Sequence, residues 1–461
     1  MVADNGTGRG SAPLLLKWWI GYGAFCSCFG WILSRLHQIN PAGYAVAAAI
    51  GAISVAMFCK RRKFRLPRRR FFHPLSGIFL LLAAGAFIGG ASHAANNYDM
   101  LTYRLPRMLH WLAAGGWQWI HTYNQRMNYS ATGWEWAAMP LMLLKGGTSW
   151  FFLLNVISYL LLPGLLFAVL RQFGVGGRVA WTWMWLFPCG LNFVMQAGSG
   201  ANDTISVVYL LAALYFAGRA RNRRSIEDCA WAAISAALLS GCKASNLPLM
   251  LPCAIALLPA LPVMQRRPVA TTCFLMVALF SSFAPNMALN FRFTHDWAGS
   301  PHDEGHLKIH NPIAGLIGNG LQLAVWNLQP PLMPGSGKVN DVLDHVLPGA
   351  IVDFLARDFP RFSIHLGEMP QEEGSGLGLA ITVMAGISLV GAVRRTTPTL
   401  ALPRNTGGGD RTGTSSTLRS TCAQGRKPAV PERRGGRKRN PDPLRFTRSA
   451  WGTLWGFLKG L

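Results

Sequence analysis

Long apolar runs recur along this chain more often than a soluble fold requires, and they decide its class. A run approaching 20 apolar residues crosses a hydrocarbon core of about 30 Å as a helix. Such runs are readable at about 14–33, 43–59, 73–92, 149–170, 179–197, 203–218, 228–243, 247–264, 268–290 and 376–393. Charged residues make up only 14% of the chain, against roughly a quarter in a soluble protein, and they cluster between the runs. The expected fold is an all-α polytopic membrane protein with about ten transmembrane helices. A helical outer loop between them is expected to carry the active site.

The net charge of +25 raises the question of nucleic acid, since basic surfaces attract phosphate. The distribution of the charge answers it. Basic clusters follow every second apolar run, as the positive-inside rule requires. They are Lys60 to Arg70, Arg171 with Arg178, Arg219 to Arg224, Arg266 with Arg267, and Arg394 with Arg395. One threading places all five in the cytoplasm. The N-terminus is then inside, and the loops near 93–148, 198–203, 244–246 and 291–375 are outside. The partner read from this pattern is the lipid bilayer, with no nucleic acid, and the location is the cell's inner membrane. The first apolar run is long and lacks a small-residue exit, so no cleaved signal peptide is expected. Most cysteines lie inside apolar runs and none form a CxxC pair, which reads as buried thiols.

Three regions follow: a two-span extension with its basic loop at 1–72, a transmembrane core at 73–393, and a basic tail at 394–461. The tail is rich in Arg, Gly, Pro, Thr and Ser and reads as disordered, or as out-of-frame translation. Its closing Trp451–Leu458 stretch suits docking on a membrane surface. Residues 133–145 are apolar but too short to span. They read as an interfacial helix with Trp134 and Trp136 at headgroup level.

The chemistry is expected on the outer face. Asp99 lies just beyond a span, where an ionisable group is costly unless used or paired. Tyr103, Arg107, His110 and Trp111 follow at helical spacing, a polar and aromatic face suited to an anionic headgroup or a sugar ring. A structural reading has Asp99 capping that helix and pairing with Arg104 or Arg107. The second outer loop adds Asp203 at the mouth of another span, and Lys243 ends a third on the same side. Two carboxylates with arginines and a lysine on one face suit activation of a hydroxyl beside a held phosphate.

The pattern Tyr98-Asp99-x-x-Thr102-Tyr103-x-x-Pro106-Arg107-x-x-x-Trp111 resembles the first outer loop of the GT-C type multi-spanning glycosyltransferases. Those include the protein mannosyltransferase and aminoarabinose transferase relatives. Gln196-Ala197-x-x-x-x-Asn202-Asp203 and Gly241-Cys242-Lys243-Ala244 extend the resemblance, which covers about residues 73–390. It implies a catalytic role for Asp99 as base or acceptor-orienting group, with Asp203 as supporting carboxylate. It implies that Lys243 with Arg107 or Arg126 holds a lipid phosphate, and that Tyr98, Tyr103, Arg104, His110 and Trp111 contact substrate. The implied donor is a polyprenyl-phosphate-linked sugar, transferred with inversion. Two spans precede the family core here, and the polar tail stands where many relatives have further spans.

His302 and His306, with His310, recur at intervals of four in the second large outer loop, a spacing that suits a divalent metal. The HExxH pattern is broken, because Asp303 stands in the Glu position and Gly305 lies inside. No other cofactor is implied. A transporter or flippase is the rival class, and an inactive truncated relative a third. A transporter would place ionisable residues near the midplane, often in repeated halves, whereas here they fall at the outer ends of spans and no repeat is found.

The threading is testable with single cysteines in a variant cleared of native thiols. A reagent that does not cross membranes is expected to label position 99 from outside and to leave position 65 untouched. The reverse result would discard the topology.

Overall fold

The computed structural model describes residues 14–59, 73–95, 97–299, 311–346, 348–359, 362–371 and 375–396. Among these the chain is all helical, with no strand. Residues up to Ser388 form one compact unit, and a second begins at Leu389.

The first unit is organised around a hairpin of α10 (Asp203–Arg223) and α11 (Ile226–Cys242). Ser225 caps α11 by accepting a hydrogen bond from the Asp228 backbone N–H at 3.2 Å, and Glu227 and Asp228 occupy the first turn where the helix dipole favours anions. Arg219 near the end of α10 pairs with Asp228 at 3.2 Å, buried on both sides. The turn between the helices is therefore fixed by its own charges.

Other helices pack on this hairpin. Against α10 lies α7 (Phe152–Gln172), and against α11 lies α14 (Pro268–Ser281). Also against α7 lie α3 (Pro74–Ser92), α8 (Gly177–Leu186) and α9 (Leu191–Ala197). The N-terminal helix α1 (Leu14–Arg35) packs on α11, α14 and α6 (Gly133–Lys145). Although α1 reads in the sequence as part of an extension, Lys17 pairs with Glu227 of α11, and Tyr22 donates to the Ala137 carbonyl of α6 at 2.6 Å. The other helices are α2 (Pro41–Cys59), α4 (Leu105–Ala114), α5 (Arg126–Tyr129), α12 (Met250–Leu257), α13 (Leu261–Gln265), α15 (Ala284–Thr294), α16 (Pro312–Leu328), α17 (Ser336–Val346), α18 (Gly349–Asp358) and α19 (Leu379–Thr396).

Several apolar helices are able to span a membrane, but the described residues do not bear out ten. Four are long and apolar enough: Pro74–Ser92, Phe152–Gln172, Asp203–Arg223 and Ala244–Gln265. A fifth is counted if α14 and α15, bent by 54° at their junction, form one broken span. The shortfall has local causes. The run at 179–197 is broken by a 3₁₀ turn over Phe187–Cys189, centred on Pro188. α11 has only 17 residues. α1 is long enough, but Lys17, three glycines and three tryptophans dilute its apolar character. The basic loop at 60–70 lies outside the described residues, as do His302, His306 and nearly all of the tail.

The reading of 133–145 as an interfacial helix is corrected. Trp134, Glu135 and Trp136 of α6 are all buried, within about one per cent of complete enclosure. Protein, and not headgroups, surrounds the first half of this helix. Gly30 of α1 meets the Trp136 indole so closely that a Cβ there would collide with the ring, and Gly133 sits against the Gly241 carbonyl.

Close backbone approach also joins α11 to α14, where Gly241 faces the Ser281 carbonyl without room for a Cβ. Gly241→Val is therefore expected to cost about 1–3 kcal/mol, the usual range for overpacking. Gly77→Ala on α3, with nothing within 4 Å, is expected to be neutral or slightly stabilising. Thermal unfolding of the two variants in detergent checks the contrast, and equal melting temperatures would contradict it.

Candidate functional site

Asp99 is followed by a π-helical turn, Met100–Arg104, that runs directly into α4. The turn widens the helix and brings Asp99, Tyr103 and Arg104 into one group. Tyr103 donates its hydroxyl to Asp99 Oδ2 at 2.8 Å, and Arg104 Nη2 approaches the same oxygen at 3.3 Å. The other oxygen, Oδ1, has the Arg126 guanidinium at 3.9 Å. Asp99 has helical backbone angles and makes no side-chain capping bond, so of the two structural roles read from the sequence only the pairing with Arg104 is realised. Its side chain is about a quarter exposed.

Arg104 is the joint between the loop after α3 and the loop between α9 and α10. While Nη2 faces Asp99, Nη1 donates to the Gly200 carbonyl at 3.2 Å, three residues before Asp203. Burial alone would lower the Arg104 pKa, but Tyr103, Glu135 and Asp99 more than offset it and raise it above its ordinary value. The guanidinium therefore stays charged. Burial raises the Tyr103 phenol, and Arg104 moderates the effect. Tyr103 is thus a neutral donor to Asp99 at any physiological pH.

The second carboxylate is held by its own set. Asp203 opens α10, with Oδ1 receiving Lys243 Nζ at 2.6 Å and Oδ2 receiving Gln196 Nε2 at 3.2 Å. Both partners of the Lys243 pair are about two-fifths exposed. Asn202 donates to the Cys242 carbonyl at 2.6 Å, tying the start of α10 to the end of α11. Asn155 of α7 donates to the Ser199 and Ala201 carbonyls at 3.0 and 2.7 Å, which sets the path of the loop between α9 and α10.

The expected binding face on α4 divides. Tyr103, Arg107 and Trp111 turn inward and are buried, while His110 is exposed. Arg107 donates to the Ser130 and Ala131 carbonyls at 3.0 and 2.6 Å and pairs with Glu135. Its guanidinium lies between the rings of Tyr103 and Trp111 at 5.5 and 5.4 Å, and Trp111 stacks on Trp136 at 4.8 Å. This face is a protein core, and a sugar ring has no access to it. Of the residues read as substrate contacts, Tyr98, His110, Arg126 and Lys243 keep exposed or half-buried surface, whereas Tyr103, Arg104, Arg107 and Trp111 are structural supports.

Glu135 escaped the sequence reading. It completes the network as the buried counter-charge of Arg107, with Arg104 Nε 3.9 Å away. The signal was present: a lone carboxylate between two tryptophans in an apolar segment is costly unless paired. Asn286 and Asn290 of α15 escaped it too. They accept from Thr132 at 3.0 Å and donate to the Tyr129 carbonyl at 3.2 Å, fixing the segment that carries Arg107's carbonyl partners. Among the described residues no cluster of His, Cys, Asp or Glu suits a metal ion, and the histidines expected to hold one lie outside them.

Beside this cluster a cavity of about 270 Å³ opens between the end of α3, the start of α7 and the loop Gly198–Gly200. In comparison with known proteins, no family model, no curated protein and no solved structure matches the chain.

Removing one partner of a buried ion pair costs about 3–5 kcal/mol, because the other charge is stranded. Glu135→Ala and Arg107→Met are each expected to lower the melting temperature sharply. The double variant is expected to lose less than the sum of the two. Strict additivity in a double-mutant cycle would show that the pair carries no coupling.

Proposed function

We propose that this chain is a membrane glycosyltransferase of the GT-C type, transferring a sugar from a polyprenyl-phosphate donor to a lipid, glycan or protein acceptor. The observation that carries the reading is the pair of partly exposed carboxylates, Asp99 and Asp203, on loops that Arg104 links through Gly200. The resemblance of the Tyr98–Trp111 pattern supports it. The reading takes the apolar runs together as about ten spans in the inner membrane, with this cluster on the outer side.

In the proposed reaction the acceptor hydroxyl oxygen attacks the anomeric carbon as the bond from that carbon to the phosphate oxygen breaks. The hydroxyl proton passes to Asp99. Oδ2 is occupied by Tyr103 and Arg104, so Oδ1 is the receiving atom. The polyprenyl phosphate leaves with the bonding pair, and attack opposite the leaving group inverts the anomeric centre. Lys243 and Arg126, the exposed cations of the cluster, neutralise the charge that develops on the phosphate. Arg107 does not share this task because it is enclosed and paired with Glu135. Asp203 holds Lys243 in place and is the supporting carboxylate.

Asp99→Asn keeps the size of the side chain and one oxygen for Tyr103, but removes the proton acceptor. A positioned general base typically contributes about 10²–10⁴-fold. Transfer from labelled polyprenyl-phosphate sugars in membranes is expected to fall by that order, with unchanged insertion and yield. Activity within a few-fold of the parent would remove Asp99 from the mechanism.

A further inference from the structure

The segment between α15 and α19 reads in the sequence as an outer loop, yet α16 within it is built the wrong way round for water. Ile313, Leu316, Ile317 and Leu323 fall on one helical face and are exposed, with Leu316 77% exposed. The opposite, packed face is made of Ala314, Gly315, Gly318 and Gln322. A helix at a water boundary buries its large apolar side chains and exposes its polar ones. The small residues of α16 are needed because protein lies close: a Cβ on Gly318 would strike the Phe359 ring at 2.7 Å. The polar groups are closed internally. Each of the three amide side chains of α16 donates to a protein carbonyl, Asn319 to Gly315 at 2.8 Å, Gln322 to Ser363 at 2.9 Å and Asn327 to Leu323 at 2.7 Å. Asn311 caps the first turn by accepting from the Ile313 backbone N–H.

What covers the exposed face follows from its surroundings. No Asp, Glu, Lys or Arg occurs from Asn311 to Gly337, and charge returns only with Lys338, Asp341 and Asp344 of α17. Asn327, in the last turn of α16, accepts from the Leu377 backbone N–H through Oδ1 and from the Thr382 hydroxyl through its carbonyl, both at 2.8 Å. These bonds join α16 to the start of α19, which the sequence marks as a span and whose Leu379, Val383 and Ile387 are exposed as well. The uncovered apolar surface of α16 therefore adjoins that of a helix suited to lipid. A protein partner is a poorer fit. Such interfaces carry about one hydrogen bond per 100–200 Å², and among the exposed residues of α16 only Asn319 has a polar side chain. Crossing the bilayer is a poorer fit too. α16 has 17 residues, about 25 Å at 1.5 Å per residue, and is not among the helices long and apolar enough to span.

We propose that α16 is an interfacial helix, lying along one leaflet with its Ile313, Leu316, Ile317 and Leu323 face against lipid hydrocarbon. The interfacial role that α6 does not fill passes to a helix inside the segment assigned to water. The polar half of an ordinary interfacial helix is replaced here by packed protein, the stretch Phe362–Glu368, whose Ser363 and Gly367 carbonyls accept from Gln322 and Gln329. This placement requires only that the chain sits in a bilayer, and it is independent of the transferase reading. It is tested with nitroxide labels on single cysteines in the full chain, cleared of native thiols and held in phosphatidylethanolamine–phosphatidylglycerol nanodiscs. Oxygen, which concentrates in hydrocarbon, and a water-soluble nickel chelate are the two relaxing agents. Labels at 313, 316 and 323 are expected to show an oxygen-to-nickel collision ratio several-fold above that at 341, and similar to one another. Position 387 on α19 serves as the lipid reference. Water-like ratios at 316 and 323 with a lipid-like ratio at 387 would overturn the placement and leave the membrane character of the chain standing. Protection of 316 and 323 from both agents would overturn it as well, by showing the face covered by protein, whether another part of this chain or a second copy. A ratio climbing steeply from 313 to 323 would show a helix that plunges through the bilayer, which also contradicts it.

Discussion

The arrangement of the site depends on a charge pair that no ligand can reach. Arg107 and Glu135 are both fully enclosed, and their pairing ties α4 to α6 in a placement where neither charge is stranded. Desolvating two ions is expensive, and such a pair is poor evidence of stability in itself. What it supplies is uniqueness of geometry. Arg107 also closes two backbone carbonyls at Ser130 and Ala131, so the segment between the two helices is held by the same guanidinium. Its faces are covered by Tyr103 and Trp111, and Trp111 in turn stacks on Trp136, which meets Trp31 of α1. A column of aromatic rings with the Arg107 guanidinium set into it thus reaches from the loop after α3 to the N-terminal helix.

One helical turn outward, Arg104 converts that buried order into the exposed cluster. It touches Asp99, Gly200 and the edge of the Glu135 field, and lies against the Trp134 ring at 5.4 Å. Asp99 is therefore positioned by a residue that is itself positioned by the core. Asp203 reaches its place by a separate route, through α10 and the hydrogen bonds of Asn155 and Asn202. The two carboxylates share no direct contact among those described, and Arg104 is where their supports meet.

The sequence made the helical class and the membrane character plain, because apolar runs of that length have few other uses. It also singled out Asp99, Asp203 and Lys243 from their places at the ends of apolar runs, and the structure pairs the last two. Spacing alone misassigned Arg107 and Trp111. A face that is polar and aromatic at helical period looks like a ligand surface until its partner is known, and the partner, Glu135, sat in a segment too short to read as a span. Fewer apolar runs form long unbroken helices among the described residues than the sequence suggests, for a related reason. Composition does not register the 3₁₀ break at Phe187–Cys189 or the bend between α14 and α15. Those depend on Pro188 and on the extended backbone of Ser282, which apolar character alone does not reveal.

The α10–α11 hairpin has charge pairs at both ends and none described between. Asp203 with Lys243 lies at one end, and Arg219 with Asp228 at the other. Asp203 and Arg219 are sixteen residues apart on α10, about 24 Å at 1.5 Å per residue. In a bilayer with a hydrocarbon core of about 30 Å, this is slightly less than the full thickness. Where α10 spans a bilayer, as its length and composition allow, these pairs act as a depth gauge: slipping by one turn in either direction would draw a paired charge toward the hydrocarbon. A matching bilayer is a thin one, and in a thicker one the lipid around the hairpin would have to thin locally.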